Sequence, residues 1–581
     1  MSISKSPSSG SWTLALGAAA GAIEAAVRAS PQRGWDGGQS AAFIGAAVGL
    51  AVAWAGLAWC AARLRPAHAR AVVGAAVVGL GAAVTWRYEL VLNELVRDPK
   101  VFLGVPAAGL VGAAVGAAVA PRLGRGLLVG VAVLATAVAG VRARPVTGAP
   151  SDRPNVLVIS LDTTRADAVA GKPAWERLAR EGTVFSQAIA AAPITEPSHL
   201  AMFTGQAPWR SGIVSNGTRL GDRPLVWERF ADAGWLTAGF VAGFPLHGKY
   251  GWGQGMAVWD DDFGAFAGLQ SLSLVKAYNQ VALKEHALRE RSAARVLARA
   301  ERWLTAHRDE TFFAFVHFYD AHGPYEAPTT ASLGPPPVDG TPLDLPPYWP
   351  PAARRVTDPA WLVRAYDEEV RTVDAAVARL VAALGDRLDH TVVVVTADHG
   401  ESLTEHDYLF DHGDDLYDPS LRVPLVIRHP GRVRAGQVVP CQVGGVDLAP
   451  TLLALAGLAP APDTVLDGIS RTPELAGEPC RNTAVVASTT AGRFVADPPV
   501  DHALRGDGQK IILKQAGPAQ LYDLRADPGE LHDLAPSPAA DAHAAALRRL
   551  LEGRATTAGP DLDDQTRRAL EALGYIEEES P

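Results

Sequence analysis

Asp398 and His399 follow directly on the run Thr391-Val392-Val393-Val394-Val395-Thr396-Ala397. A carboxylate beside an imidazole is a metal-ligand pair. Asp162 stands in the same relation to Asn155-Val156-Leu157-Val158-Ile159-Ser160-Leu161. If the two runs lie side by side, Asp162, Asp398 and His399 can build one divalent-metal site; taken alone, Asp162 reads equally well as a helix N-cap. A third polar cluster, His317, Asp320 and His322, follows another apolar run. It opens a two-metal alternative, for which the Asp320-x-His322 spacing is poor support.

The segment Ala192-Pro193-Ile194-Thr195-Glu196-Pro197-Ser198-His199-Leu200 reads as a loop entering a helix. A hydroxyl at that point lies near a helix N-terminus, which favours an anion. Thr195 and Ser198 are both possible nucleophiles, and both are possible capping residues.

Strands must deliver these groups. Continuous apolar runs at 155–161, 236–241, 312–318 and 391–395 read as buried strands of a parallel sheet. Open α/β sheets gather ligands at the carboxyl ends of such strands. Helices are expected at 173–182, 280–307 and 361–385, the last bearing Tyr366, Asp367, Glu369 and Asp374. The Pro-rich segment 334–351 is a loop, and the loop after Glu401 carries Glu405, His406, Asp411 and His412. Beyond residue 430, a turn into a helix near 446–453, paired strands at 510–513 and 520–524 and a helix at 538–555 make a small α+β appendage. The fold class is α/β: a mixed, mostly parallel sheet sandwiched by helices.

The 581 residues carry a net charge of −9, so no basic footprint for nucleic acid is present. The first 150 residues differ from the rest. Apolar runs near 11–27, 40–62, 70–86, 101–120 and 126–142 are each long enough to cross a bilayer. The loop 63–70 holds Arg63, Arg65 and Arg70 without an acid, and the loop 121–125 holds Arg122 and Arg125. Both loops belong inside by the positive-inside rule, which leaves everything after residue 150 outside. The expected organisation is a transmembrane region of about five helices at 1–145, a linker at 146–153, a catalytic domain at 154–470 and a C-terminal subdomain at 471–581. The protein is then integral to the cell inner membrane, with its catalytic part extracytoplasmic or periplasmic. Three cysteines are too few for a disulfide framework. Cys441 and Cys480 can form one bridge if their domain lies outside the cytosol.

The ordered set of motifs across most of 154–576 resembles the sulfatase branch of the alkaline phosphatase superfamily. It runs from Pro154-Asn155-Val156 through Asp162-Thr163-Thr164-Arg165-Ala166-Asp167, then Thr195-Glu196-Pro197-Ser198-His199 through Thr204-Gly205. His317 through Tyr325, Thr396-Ala397-Asp398-His399-Gly400-Glu401, Leu521-Tyr522-Asp523-Leu524, Asp527-Pro528, Glu530 and Leu573-Gly574-Tyr575-Ile576 complete it. The resemblance implies an alkaline-phosphatase-like fold. It implies one divalent metal ion (Ca, Mn, Mg or Zn) held by Asp162, Asp398 and His399, with Thr195 bridging metal and substrate. Arg165, His322 and His412 would clamp the substrate anion, and His199 or His322 would protonate the leaving oxygen.

Four positions depart from the family pattern. Thr195 occupies the position of the formylglycine precursor, His199 that of an arginine, Thr163 that of a second acid, and Ala242-Gly243-Phe244 that of a lysine motif. With its amino-terminal spans and threonine, the chain is also similar to membrane-anchored phosphoethanolamine and phosphoglycerol transferases. The resulting expectation is an enzyme that cleaves or transfers a sulfate or phosphate ester at the extracytoplasmic face, with lipid- or glycan-linked esters among its candidate substrates. The alternatives are a transferase of the phosphoethanolamine or phosphoglycerol type, and a membrane-tethered binding protein that has lost turnover.

Overall fold

The computed structural model describes residues 153–263, 290–326, 328–346, 349, 353–462, 464–490, 499–506 and 508–552. The five apolar runs before residue 145, the first part of the helix expected at 280–307 and the motif at 573–576 lie outside these residues. Among the described residues no helix is long and apolar enough to cross a membrane.

Nine strands form the main sheet: β1 (Asn155–Leu161), β2 (Thr183–Ile189), β3 (Leu236–Phe240), β4 (Val258–Asp260), β5 (Phe312–Phe318), β6 (Thr391–Thr396), β7 (Arg422–Val423), β8 (Leu425–Arg428) and β9 (Gln437–Gly444). Their order is β4-β3-β5-β1-β6-β8-β2-β7, with β9 also paired to β2. The stretch β4-β3-β5-β1-β6 is parallel throughout. β8 runs antiparallel to both β6 and β2, which makes the sheet mixed. The central strands β1, β5 and β6 are buried along their whole length, as runs of Val, Ile and Phe require when both faces are covered.

Helices supply that cover. α1 (Pro173–Glu181) and α4 (Ala293–Ala306) each pack on α5 (Pro359–Ala382), and α2 (Thr195–Thr204), α3 (Val226–Asp232) and α6 (Leu448–Ala456) pack on one another. Asp374 of α5 accepts hydrogen bonds at 3.0 Å from the backbone N–H groups of Ala174 and Trp175, capping α1 from a neighbouring helix.

The register explains how distant sequence segments meet. Leu161 pairs with Phe318, and Ser160 pairs with Thr396. Carried two residues further, the β1–β6 register brings Asp162 level with Asp398 at the carboxyl edge.

A second, antiparallel sheet contains β10 (Val485–Thr489), β11 (Asp501–Gly506), β12 (Gln509–Leu513) and β13 (Gln520–Asp523). Helix α7 (Pro538–Leu551) packs Ala540, Ala544 and Leu547 against Ile511 and Leu521. Buried Lys510 on β12 reaches the segment before β7: its Nζ lies 2.6 Å from Asp418 and 3.0 Å from the Leu416 carbonyl, with Glu530, which follows β13, at 2.7 Å. Cys441 and Cys480 are joined by a disulfide that ties β9 to the segment before β10.

Candidate active site

Asp162, Asp398 and His399 converge at the carboxyl edge of β1 and β6, all fully buried, with ligand atoms within 4.8 Å of one another. Asp162 caps no helix; the next one, α1, begins only at Pro173 and has Lys172 at its N-cap. His399 donates Nδ1–H to the Gly400 carbonyl at 2.9 Å, which fixes the tautomer and leaves the Nε2 lone pair as a ligand. Asp398 Oδ1 accepts from the backbone N–H of His399 at 2.9 Å and of Thr163 at 3.3 Å. Asp162 Oδ1 and Asp398 Oδ2 are buried with no hydrogen-bond partner. Two orphaned carboxylate oxygens facing an imidazole lone pair fit a divalent cation. Burial drives the Asp162 carboxyl up to about 7 in the bare cluster, and burial with the neighbouring Asp162 charge raises Asp398. A cation would reverse both shifts.

A second buried group, His199, His317 and Asp398, has comparable spacing. It is the poorer seat. His199 donates Nδ1–H to the Thr195 carbonyl at 2.8 Å and its Nε2 accepts from Ser160 Oγ at 3.0 Å. His317 Nε2 is bonded to Asp162 Oδ2 at 2.9 Å.

Thr195 is the first residue of α2, after Ile194 at the N-cap. Its Oγ1 is buried, 3.5 Å from His399 Nε2. The other candidate nucleophile, Ser198, donates Oγ–H to the Asp398 carbonyl at 2.6 Å and so braces the metal loop instead. His199 is held down to about 3 by burial, so it is neutral, and both its nitrogens bond within the protein. It fixes the first turn of α2 against β1.

His412 and His322 lie beside the cluster. The His412 ring centroid is 4.5 Å from that of His399 and 4.9 Å from that of His322, which stacks on Tyr319 at 4.4 Å. His412 Nδ1 is 3.3 Å from Glu401 Oε1. Burial, with nearby Asp411 and Asp162, pushes Glu401 well above the usual carboxylate range. His322 donates Nδ1–H to the Gly323 carbonyl at 2.7 Å and is held down to about 3 by burial.

Arg165, expected to clamp a substrate anion, has protein partners instead. Its guanidinium forms a fork with Asp167 at 2.9 Å and reaches Glu405 Oε1 at 2.8 Å and the Glu401 carbonyl at 3.1 Å. It therefore ties the loop after β1 to the loop after β6. The His317, Asp320 and His322 cluster also divides: both Asp320 oxygens accept from the Ala293 N–H at the start of α4, at 2.9 and 2.7 Å.

Three neighbours of the cluster take places that local sequence did not give them. His317 stands within β5 and bonds Asp162; the sequence grouped it with Asp320 and His322, not with Asp162. Thr163 has φ 51°, strained for a β-branched residue, and its Oγ1 is buried without a partner. Gly243 stands where the lysine motif is absent. A Cβ there would lie 2.8 Å from Tyr319 and 3.1 Å from His317 Cε1, so glycine makes room for both rings.

A mostly parallel sheet with helices on both faces and a carboxylate-imidazole cluster at its carboxyl edge defines an alkaline-phosphatase-like hydrolase architecture. The sulfatase family model matches residues 154–458, and the model described as N-sulphoglucosamine sulphohydrolase, C-terminal, matches residues 404–556. The chain belongs to the sulfatase family, an enzyme family of the alkaline phosphatase superfamily.

Among curated relatives, the uncharacterized sulfatase YidJ of Escherichia coli is 27% identical over 423 residues, covering 66% of this chain and 83% of that protein. The Delta 4,5-hexuronate-2-O-sulfatase of Bacteroides thetaiotaomicron is 25% identical, covering 74% and 95%. The choline-sulfatase of Rhizobium meliloti is 26% identical, covering 73% and 90%. The phosphonate monoester hydrolase structure of Agrobacterium radiobacter superposes with TM-score 0.55 at 22% identity, over 69% of this chain and 95% of that one.

Proposed function

We propose that this protein is a membrane-anchored, metal-dependent enzyme that cleaves or transfers a phosphate-type ester at the extracytoplasmic face, with Thr195 as nucleophile. The observation that carries this reading is the Thr195 hydroxyl at the N-terminus of α2, 3.5 Å from the His399 lone pair. Asp162, Asp398, His399 and Thr195 would hold a divalent ion, which supplies charge neutralisation and lowers the pKa of a bound hydroxyl.

The chain's own groups do the rest. The positive end of α2 favours the Thr195 alkoxide and an incoming anion. The Thr195 proton is released to solvent, Oγ forms a bond to the central atom of the ester, and the bond to the leaving oxygen breaks. Glu401 orients His412, whose second nitrogen meets a nonbridging oxygen. His322 protonates the leaving oxygen: it is neutral in the free protein, and the anionic ester restores its proton. Arg165 and His199 are positioning residues, the first for the two metal loops and the second for the Thr195 turn.

An unmodified threonine supports phosphate over sulfate. Water or an acceptor hydroxyl resolves a phosphothreonine, whereas a sulfothreonine has no easy exit. The hexuronate sulfatase and the choline-sulfatase act on sulfate esters and the structural neighbour on phosphonate monoesters; an anionic ester centre is common to all three. The apolar runs and arginine loops before residue 145 support membrane anchorage and an outward catalytic part. The Cys441–Cys480 bridge suits an oxidising compartment. A lipid- or glycan-linked ester fits that placement.

The test is turnover by the full-length protein in detergent, offered an aryl phosphonate monoester, a phosphodiester and an aryl sulfate in separate assays. Turnover of a phosphorus ester that disappears in Thr195→Ala is expected. No turnover of any of the three would favour the binding-protein alternative, for which the protein-engaged Arg165 is the supporting observation; turnover unchanged in Thr195→Ala would overturn Thr195 as the nucleophile.

A further inference from the structure

A cavity of about 290 Å³ lies between the β2–β9 edge of the main sheet and the C-terminal sheet, and it shares no residue with the metal cluster. The polar side chains that line it are Gln187 of β2, Gln442 of β9, Asn482, Arg505 of β11 and Arg525. What they have left to offer a ligand is N–H groups. Arginine has no acceptor, and each amide oxygen is already engaged. Gln187 Oε1 accepts from Arg505 Nη2 at 2.9 Å, Gln442 Oε1 accepts from Arg505 Nη1, and Asn482 Oδ1 accepts from the Gln442 backbone N–H at 3.0 Å. Those partners can only donate, so the orientation of all three amides is fixed. Gln442 directs its own NH2 to the Thr483 and Arg505 carbonyls, both at 2.7 Å. The NH2 groups of Gln187 and Asn482 have no partner among the described residues.

The two arginines differ. Arg505 is buried, and Asp418 accepts its Nε–H at 3.0 Å and an Nη2–H at 2.8 Å, so its charge is balanced inside the protein. Arg525 is exposed, and its guanidinium has no partner among the described residues. Gly508 makes room for its arm: at φ 78°, an added Cβ would lie 2.8 Å from Arg525 Cγ. No carboxylate lines the cavity among the described residues.

We propose that this cavity is a second ligand site, separate from the Thr195 centre, for a small molecule that carries a phosphate or sulfate group. An unpaired guanidinium beside two amide NH2 groups matches a partner that is negatively charged and accepts without donating. A tetrahedral oxyanion has an oxygen for each of them. A cation would meet only donors, and a neutral sugar would leave the guanidinium without a counter-charge. The volume stands at the small end of ligand pockets and exceeds what the ion alone fills, so a body the size of one sugar fits beside the charged group, against Pro440 and Leu524. The inference does not depend on which ester Thr195 attacks.

The experiment is equilibrium dialysis of full-length protein in detergent, as purified and after chelator treatment, against labelled inorganic phosphate, glucose 6-phosphate and, as the uncharged control, glucose. Asn482→Asp keeps the acceptor for the Gln442 N–H but exchanges the NH2 group for a negative oxygen, and Arg525→Ala removes the unpaired cation. Both anions should bind the parent and glucose should not. Each variant should weaken one bound anion per chain by about 10- to 100-fold, and Arg525→Lys should recover part of that loss. The same anion should remain after chelator treatment. Uptake of neither anion would overturn the inference, as would glucose binding as tightly as glucose 6-phosphate. So would isotherms that Asn482→Asp and Arg525→Ala leave unchanged. A bound anion that departs with the metal belongs to the Asp162, Asp398 and His399 cluster and would also overturn it, while leaving the Thr195 reading in place.

Discussion

Thr195 Oγ1 stands 3.5 Å from His399 Nε2, although 204 residues separate them. One end of that relationship comes from a helix start and the other from a strand end. Thr195→Ala should lower turnover by at least about 1000-fold, because it removes the nucleophile itself. Thr195→Ser should stay within about tenfold of the parent, since the hydroxyl and the helix end are kept. Steady-state kinetics of the two variants, with metal content measured alongside, separate loss of chemistry from loss of the ion.

Gly400 should resist any side chain. A Cβ there would lie 2.0 Å from the Pro419 carbonyl oxygen, and the Gly400 N–H bonds Ser420 at 2.8 Å, so neither segment can withdraw cheaply. Gly400→Ala is expected to cost about 2–3 kcal/mol and to displace the adjoining His399. Denaturant midpoints together with divalent-metal affinity should show both effects.

The C-terminal sheet props up the loop that follows His412. Asp418 joins Lys510 at 2.6 Å and Arg505 at 2.8 Å. Burial pushes the Asp418 carboxyl upward, but Lys510 and Arg505 prevail and hold it below the usual range. A carboxylate depressed in this way stabilises the fold above its unfolded pKa near 4 and loses that contribution as pH falls. Asp418→Asn should cost about 3 kcal/mol at pH 7, because two buried cations lose the carboxylate they share, although Lys510 keeps Glu530. The gap to the parent should narrow below pH 4, and denaturation across that range reads it directly.

His199 titrates in the opposite chemical sense but also fails in acid. Its pKa falls from 6.5 to about 3, chiefly through burial. The neutral ring contributes fully above pH 6.5, and its contribution is lost as pH drops toward 3, because only the unfolded chain takes the proton. The parent should therefore lose stability between pH 6 and 4 more steeply than His199→Phe, by about 1.4 kcal/mol per pH unit. Parallel slopes for the two proteins would contradict a neutral His199.

What the sequence revealed and concealed follows from local pattern. Buried parallel strands are legible because they are continuous apolar runs, so Asp162, Asp398 and His399 could be placed at one edge. Thr195 was legible because prolines and polar residues announce a helix start. The pairing of β2 with β7, β8 and β9 was not legible: these strands are short or half-polar, and their antiparallel order depends on long-range contacts. Arg165 looked like an anion clamp because the groups that complete its shell beside Asp167, the Glu401 carbonyl and Glu405, lie 236 and 240 residues away. Asp320 and Ser198 looked like site residues because nothing local reveals that one caps α4 and the other braces Asp398.

The reaction proposed for Thr195 passes through a covalent intermediate on its hydroxyl. The most direct measurement is peptide mass spectrometry of full-length protein quenched in acid during turnover of a phosphonate monoester or phosphodiester. A phosphorus-containing adduct is expected on the peptide bearing Thr195, absent from Thr195→Ala and from metal-stripped protein. Turnover with no adduct on that peptide at any quench time, or an adduct on Ser198 instead, would contradict it.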